Sequence, residues 1–225
     1  MIRVQGLTKT FRMHVRGGAH LCAFRDVSFR VAPGEFVGVS GPSGSGKSSL
    51  LKCVYRTYLP TEGEIWYTDA ASATRNLAVE DEHVIMRLRR QEIGYVSQFF
   101  PVIPRVSALD TIANGMVARG FAREDSEERA RSLLARLGIP RSLWDMFPST
   151  FSGGEKQRLN IIHAVITEPR LLLLDEPTAS LDAASAREAV ALFQEMKARG
   201  TAVIGVFHDR ALRDRLSDQV LEMSA

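Results

Sequence analysis

The chain contains 225 residues with a mass of 24.9 kDa, enough to bury a substantial core, and we expect one domain. Its hydrophobic share of 45% and charged share of 24% are typical of a soluble globular protein. A net charge of +3, without any dense run of Lys and Arg, disfavours nucleic acid as the main partner.

Neither the cysteines nor the hydropathy points to an extracellular or membrane-spanning protein. Cys22 and Cys53 lack the spacing of a metal site, which indicates a reducing compartment and no disulfide framework. No run of about 18 apolar residues occurs, and the first eleven residues alternate like a strand rather than a signal peptide. We therefore expect a cytoplasmic protein that reaches a membrane only through a partner.

The first half of the chain is predicted to contain several strands and one helix. Alternation at 25–31 favours a half-exposed antiparallel strand, and the apolar stretch 35–41 favours a buried strand that runs into a loop. A helix is expected from about 47 to 57, and short strands are expected at 63–67 and 92–98.

The second half is predicted to alternate between helices and strands. The pattern is helical between Ser107 and Leu137, and Gly138 ends it. Further on, the predicted elements are a helix after residue 152, a strand in "RLLLLDEPT", a helix at 182–199, a strand in "TAVIGVFHD" and an edge strand in "QVLEM". Strands that alternate with helices predict an α/β fold with a mainly parallel sheet.

The stretch "GPSGSGKSS" matches G-x-x-x-x-G-K-[ST] between a predicted strand and a predicted helix. Glycines let successive backbone N–H groups face one anion, Lys47 can reach the β- and γ-phosphates, and the Ser48 hydroxyl can bind Mg²⁺. A Gly/Ser-rich turn without a ligand is the alternative, which both flanking elements disfavour. The predicted phosphate-binding residues are Gly41, Pro42, Ser43, Gly44, Ser45, Gly46, Lys47, Ser48 and Ser49.

Two acidic residues follow the four leucines of "LLLLDEP", where a buried strand should reach the ligand-binding edge of the sheet. Adjacent side chains at a strand end point to opposite sides, so one carboxylate can reach the metal while the other faces an attacking water. We assign Asp175 to Mg²⁺ and Glu176 to the role of general base. Glu176 as a mere cap of the loop before Pro177 is the alternative.

A second stretch, "TFSGGEKQR", also has the character of an anion site. Two glycines begin a helical pattern, and free N–H groups at a helix start, together with the helix dipole, favour phosphate. The alternative is that Gly153 and Gly154 only interrupt a loop. One chain would then carry two phosphate sites more than a hundred residues apart.

Five motifs in order, "GPSGSGKSS", "YVSQ", "FSGGEKQR", "LLLLDEPTASLD" and "FHD", resemble those of an ATP-binding cassette (ABC) ATPase. The resemblance covers essentially the whole chain. It implies a P-loop NTPase fold, with a RecA-like mainly parallel core, an N-terminal antiparallel β-subdomain and a helical subdomain. Residues 1–225 would form one ATP-binding domain, with its core at about 1–98 and 167–225 and its helical lobe at about 99–166.

The resemblance also implies a partner and a division of roles. A second ABC subunit, either this chain or a paralogue, would pair head to tail, so that the serine–glycine segment of one chain closes over the γ-phosphate at the P-loop of the other. That segment comprises Ser152, Gly153, Gly154 and Glu155. Asp182 would lie near the same interface, and the cofactors would be ATP and Mg²⁺.

Further roles follow from the same resemblance. Gln98 would contact Mg²⁺ or the attacking water, and His208 would contact the γ-phosphate and orient Glu176. Phe11 would stack on adenine, with an ordinary core phenylalanine as the alternative. In this chain Glu155 and His163 stand where many family members have glutamine and arginine.

A finer resemblance concerns "FFPVIPRVSALDTI", "YLPTEGEI", "SLWDMFPSTFSGGE" and "GVFHDRALRDRLSD". These segments are similar to the ABC subunits of bacterial phosphonate carbon–phosphorus lyase systems, which implies soluble lyase subunits as partners and a role in phosphonate catabolism through ribose 1-phosphonate 5-triphosphate. The alternative is the ATPase of a lipoprotein-release or macrolide-export transporter. A non-hydrolysing clamp or scaffold is a third possibility, against which Glu176 argues.

Overall fold

The computed structural model describes residues 1–13 and 19–224, and these residues form two β-sheets with helices around them. An antiparallel sheet has the order β2-β1-β4-β5, and a parallel sheet has the order β6-β7-β8-β3-β9. The strands are β1 (Ile2–Met13), β2 (Ala19–Val31), β3 (Phe36–Ser40), β4 (Glu62–Thr68), β5 (Thr74–Asn76), β6 (Ile93–Val96), β7 (Leu171–Asp175), β8 (Ala202–Val206) and β9 (Gln219–Glu222).

Seven α-helices connect the strands in the described part of the chain. They are α1 (Lys47–Val54), α2 (Glu82–Gln91), α3 (Ala108–Val117), α4 (Arg123–Arg136), α5 (Gly153–Val165), α6 (Ala183–Ala198) and α7 (Arg210–Leu216). Three of them, α3, α4 and α5, follow one another between β6 and β7 with only 3₁₀ turns at 141–143 and 148–150 between α4 and α5. None of the helices described is both long and apolar enough to cross a membrane.

Strand β7 separates two hydrophobic cores. Its residues are buried on both faces, and because side chains alternate along a strand, Leu172 and Leu174 pack among α3, α5 and α6. Leu171 and Leu173 pack on the other face, in the core that contains α1 and the antiparallel sheet. This position explains why the strand is a continuous run of leucine rather than an alternating pattern.

All four pairings in the five-stranded sheet are parallel, so the carboxyl ends of its strands lie at one edge. The chain segments that follow β3, β6, β7 and β8 therefore emerge side by side. Each of these four segments contains residues that the sequence assigned to the nucleotide site.

Several predicted elements differ from the structure at their ends. Helix α1 stops at Val54 rather than near residue 57, and the helical stretch at 107–137 is two helices, because residues 118–122 form a turn between α3 and α4. Strand β6 ends at Val96, two residues before Gln98. Gln98 is therefore part of a loop and not the last residue of a strand.

Gly94 and Gly115 offer a matched test of how tightly β6 packs against α5. A Cβ at Gly94 would lie 2.5 Å from the Ala164 carbonyl oxygen, whereas a Cβ at Gly115 in α3 would meet only methyl groups at 3.7 and 3.8 Å. We expect Gly94→Ala to lower the free energy of unfolding by about 1–3 kcal/mol, because backbone must move. Gly115→Ala should raise it by roughly 0.5–1 kcal/mol through helix propensity.

Urea unfolding followed by circular dichroism measures both changes. Equal effects of the two substitutions would contradict the close approach of β6 and α5.

Candidate nucleotide-binding site

The loop between β3 and α1 has a backbone that requires glycine. Gly44 and Gly46 have φ angles of 84° and 85°, and Gly41 has a φ of 146°. At Gly46 the constraint is also spatial, because a Cβ would collide with the Ala23 carbonyl oxygen of β2. The loop therefore curls between the parallel sheet and the antiparallel sheet.

The two polar residues that follow the loop are held by it and by β7. The Lys47 ammonium donates to the carbonyl oxygens of Gly41 and Pro42, each at 2.8 Å. The Ser48 hydroxyl donates to Asp175 Oδ1, also at 2.8 Å. The Lys47 side chain thus folds back onto the loop, and Ser48 joins the start of α1 to the end of β7.

A cavity of about 790 Å³ opens above this loop. Its lining includes Phe11 of β1, Glu176 after β7, His208 after β8, and every residue of 41–49 except Ser45. Ser45 is 1% exposed and lies beneath the loop. The cavity has the size and the polar loop expected of a nucleotide site.

Asp175 and Ser48 form a suitable pair of magnesium ligands. Asp175 is 2% exposed, and its two oxygens accept hydrogen bonds from Ser48 and, at 3.1 Å, from the Tyr95 hydroxyl. Mg²⁺ prefers oxygen ligands in an octahedron, in which adjacent ligands lie about 3 Å apart. The 2.8 Å between Ser48 Oγ and Asp175 Oδ1 matches such an edge. Burial and the adjacent Asp175 carboxylate raise the pKa of Tyr95, so its hydroxyl stays a neutral donor.

Glu176 and His208 meet beside this pair. His208 Nε2 lies 2.9 Å from Glu176 Oε1, and both side chains line the cavity. Glu176 has a φ of 53°, unusual for a residue with a side chain, and its backbone N–H donates to Val206 O at 3.0 Å. With this conformation the Glu176 side chain lines the cavity, whereas Asp175 does not.

Gln98 is one of the predicted site residues that do not line the cavity of the described chain. Its side chain is exposed, and among the described residues it makes no hydrogen bond to Ser48, Asp175 or Glu176 and does not line the cavity. The preceding residue is anchored, since Asn160 donates to Ser97 O at 2.6 Å. Because β6 ends at Val96, Gln98 lies in the loop that follows the strand, and its contact with metal or water stays a prediction.

Phe11 of β1 brings the antiparallel sheet into the cavity wall. Its ring packs edge-to-face on Tyr58 with 5.2 Å between centroids, and the Lys9 ammonium lies 4.6 Å from its centroid. Phe11 is half-buried and lines the cavity, so it is not a pure core residue.

Ser152 begins α5 with a complete capping box. The Ser152 hydroxyl accepts from the Glu155 N–H at 3.3 Å, and the Glu155 carboxylate accepts from the Ser152 N–H at 2.7 Å. Hydrogen bonds from Ser152 lower the pKa of Glu155. A Cβ at Gly153 would meet nothing within 4 Å, so the helix start is open to an approaching group.

The start of α5 is not part of the cavity of its own chain. None of Ser152, Gly153, Gly154, Glu155 and Asp182 is among the described residues that line the space above the P-loop. A single chain therefore presents the two predicted phosphate-binding elements separately.

Asp182 is the N-cap of α6. Its carboxylate accepts from the N–H groups of Ala184 and Ser185 at 3.0 and 2.9 Å and lies 3.4 Å from Arg158 of α5. Hydrogen bonds from Ser185 and Ala184, with the Arg158 charge, lower the pKa of Asp182 to about 2. Asp182 thus joins the start of α6 to the middle of α5.

Three residues around the site were not singled out from the sequence. Tyr95 contacts Asp175, Asn160 holds the segment of Gln98, and Gln157 donates from α5 to Pro177 O at 3.1 Å. Gln157 and Asn160 are buried polar residues of α5, and a polar residue on an otherwise apolar helix face is the signal that could have indicated them. Tyr95 begins the quoted motif "YVSQ", but nothing in that motif indicated its contact with Asp175.

A parallel α/β sheet with a glycine loop, a lysine, a paired serine and aspartate, and a glutamate–histidine pair at one edge defines a P-loop nucleotide-binding domain. Residues 24–179 match the family described as "ABC transporter", which is more than half of the chain. The chain belongs to the ABC transporter family.

Curated relatives agree with this family. The chain is 37% identical to "Lipoprotein-releasing system ATP-binding protein LolD" of Maricaulis maris (strain MCS10), over 93% of this chain and 89% of that one. It is 35% identical to "Phosphonates import ATP-binding protein PhnC 1" of Rhodopseudomonas palustris (strain HaA2), over 100% of this chain and 79% of that one. It is 34% identical to "Macrolide export ATP-binding/permease protein MacB" of Chromobacterium violaceum, over 96% of this chain and 33% of that longer protein.

Solved structures agree as well. The chain is similar to the dimeric bacterial ABC transporter cassette MJ0796, with a TM-score of 0.89, 28% identity, and coverage of 100% of this chain and 94% of that one. The same cassette in a dimeric post-hydrolysis state bound to ADP and Pi gives a TM-score of 0.88 at 28% identity, over 99% and 94% of the two chains. The predicted ABC-type fold is confirmed. The chain is an ATPase whose substrate is ATP with Mg²⁺.

Proposed function

We propose that this chain is the ATPase subunit of a membrane transporter of the lipoprotein-release or macrolide-export type, and that two copies hydrolyse ATP at their shared interface. The proposal of a shared site rests on one observation: the start of α5 is open, and it does not line the P-loop cavity of its own chain. The lipoprotein-releasing and macrolide-export relatives support the transporter assignment over the finer resemblance to lyase subunits.

Within one chain, the P-loop holds the phosphates and β7 supplies the metal ligand. Backbone N–H groups of 41–49 surround the phosphates, and Lys47 leaves its carbonyl partners to contact the β- and γ-phosphates. Ser48 and Asp175 would hold Mg²⁺, which when bound would supply positive charge to the phosphate oxygens.

Glu176 is the general base for the attacking water, and His208 is its positioning partner. The 2.9 Å contact between His208 Nε2 and Glu176 Oε1 leaves the second Glu176 oxygen to accept the proton of the water. His208, 78% exposed at its side chain, can also donate to the γ-phosphate.

The missing part of the site comes from a second copy, as favoured by similarity to a dimeric cassette. Ser152, Gly153 and Gly154 of that copy present the free end of α5 to the γ-phosphate, where the helix dipole favours negative charge. Charge stabilisation is then complete only when the two copies close, which couples hydrolysis to movement.

The remaining site assignments are proposals of the same kind. Phe11 supports the adenine ring at the edge of the cavity, and Asp182 contributes to the dimer interface through its position at the start of α6. Gln98 reaches the metal or water only after the loop at 97–100 moves. The division into a core at about 1–98 and 167–225 and a helical lobe at about 99–166 also remains a proposal.

The transporter would contact the loop that follows β6. Phe99 is 80% exposed and Ile103 is 55% exposed, although both are large apolar residues. Exposed apolar side chains this close to the site mark a partner surface. Asn160 fixes the base of this loop to α5, so a partner bound there can move with the helix.

The carbon–phosphorus lyase system is the second candidate, because the segment at 99–112 and the three other segments quoted above resemble its ABC subunits. The exposed Phe99 would then be covered by a soluble phosphonate-processing subunit rather than by a permease. Either assignment uses the same ATPase site.

Glu176→Gln tests the hydrolytic assignment. Loss of the general base should lower ATP turnover by roughly 10²–10⁴-fold, since the isosteric amide cannot accept the proton. ATP binding should persist, so an ATP-dependent dimer should accumulate in gel filtration. Glu188→Gln, an exposed residue on α6, is the matched control and should behave as wild type.

Unchanged turnover in Glu176→Gln, without an ATP-dependent dimer, would contradict the role of Glu176.

Affinity purification from the native host tests the partner. A tagged chain purified in detergent, from cells grown with and without a phosphonate, should recover a permease by mass spectrometry under both conditions. Phe99→Asp should abolish that recovery without lowering basal ATP turnover of the isolated chain, because it changes only the exposed loop. Recovery of phosphonate-processing subunits without a permease would overturn the transporter proposal in favour of the lyase system.

A further inference from the structure

The carboxylate of Asp175 has two partners, and the roles assigned above account for only one of them, Ser48. Ser48 donates to Oδ1 from the start of α1. The second oxygen, Oδ2, accepts from the Tyr95 hydroxyl at 3.1 Å. Tyr95 lies on β6 directly beside Leu173 of β7, so its position relative to Asp175 is set by the register of two paired strands.

The Tyr95 ring is itself held from the other side. It packs on Tyr55 with 4.9 Å between ring centroids, and Tyr55 is the residue at the C-terminal end of α1. The Arg89 guanidinium lies 4.6 Å from the Tyr55 ring, and its Nε donates to Tyr55 O at 2.8 Å. These contacts restrict the Tyr95 ring, and with it the direction of its hydroxyl.

We infer that Tyr95 is a positioning residue for the metal ligand: its hydroxyl holds Asp175 Oδ2 so that Oδ1 faces the Ser48 hydroxyl and the magnesium ion. A carboxylate can rotate about its Cβ–Cγ bond, and a hydrogen bond to each oxygen removes that freedom. Partners that orient a ligating carboxylate contribute to metal affinity although they do not touch the metal. The inference rests on the proposed role of Asp175.

Tyr95→Phe removes the hydroxyl and keeps the ring against Tyr55. Tyr67→Phe is a matched control, because the Tyr67 hydroxyl also donates to a carboxylate, Glu92 Oε2 at 2.9 Å, and Tyr67 is fully buried in the other sheet. Both substitutions remove the same kind of bond, but only Tyr95 contacts Asp175.

Mn²⁺ serves as the probe for the metal site. Full-length protein is mixed with a smaller amount of a non-hydrolysable ATP analogue, and electron paramagnetic resonance measures the concentration of free Mn²⁺. We expect Tyr95→Phe to raise the dissociation constant for Mn²⁺ by about 10–100-fold, and Tyr67→Phe to leave it unchanged. Binding of the nucleotide analogue in EDTA should be equal in all three proteins, since the P-loop is intact.

An unchanged Mn²⁺ dissociation constant in Tyr95→Phe would overturn the inference. An equal loss of nucleotide binding in EDTA would overturn it as well, because it would indicate a general structural effect.

Tyr95→Met fills the space without a hydrogen-bond donor and must raise the dissociation constant for Mn²⁺ in the same way. It also replaces Tyr95→Phe in the test if that variant is poorly folded. Asp175→Asn separates the two proposals. If Asp175→Asn leaves Mn²⁺ binding intact, the proposed metal role of Asp175 is wrong. If Asp175→Asn weakens Mn²⁺ binding and Tyr95→Phe does not, only the role of Tyr95 is overturned.

Discussion

The hydrogen bond between Ser48 and the buried Asp175 joins the two halves of the nucleotide site. It links the start of α1 to the end of β7 at 2.8 Å, in a place where the carboxylate is 2% exposed. A carboxyl group this deeply buried needs hydrogen-bond partners, and both of its oxygens have one. The P-loop, the strand of leucines and the adjoining Glu176 therefore hold their relative positions through one carboxylate.

Helix α5 connects this site to the surface that a second copy would meet. Gln157 donates to Pro177 O, immediately after Glu176, and Asn160 donates to Ser97 O, immediately before Gln98. The same helix begins at Ser152, whose N-terminal end is open. Contact between that end and the γ-phosphate of another chain can therefore be transmitted to the loops of both Glu176 and Gln98 through direct hydrogen bonds, which is a physical route for coupling hydrolysis to movement.

Local sequence patterns predicted the parts of the site that are continuous in the chain. Each of these parts needs particular residues because of its local backbone, as the positive φ angles at Gly44 and Gly46 show for the P-loop. The same holds for the acidic pair after the leucine run and for the serine–glycine start of α5. The alternation of helices with strands, and with it a mainly parallel sheet, followed from the buried and amphipathic patterns in the same way, whereas the order of the strands did not.

The long-range contacts could not be predicted, because they depend on register. Tyr95 reaches Asp175 only because β6 pairs with β7 residue by residue. The prediction that Gln98 ends a strand was wrong, because β6 ends at Val96. The next residue, Ser97, is instead hydrogen-bonded to Asn160. The proposed pairing with a second chain rests on two phosphate-binding elements that a single chain keeps apart, and the sequence does not say which chain the second one is.

Mixing two inactive variants tests most directly whether the site is shared between two copies. Lys47→Ala removes the P-loop charge, and Ser152→Asp keeps a good helix cap while placing a negative charge beside the phosphate. A mixed dimer would contain one doubly damaged site and one intact site, so refolding or co-expressing both variants should restore about a quarter of wild-type ATP turnover by random pairing. Turnover that stays at the level of the separate variants, with mixed dimers present, would contradict a site built from two chains.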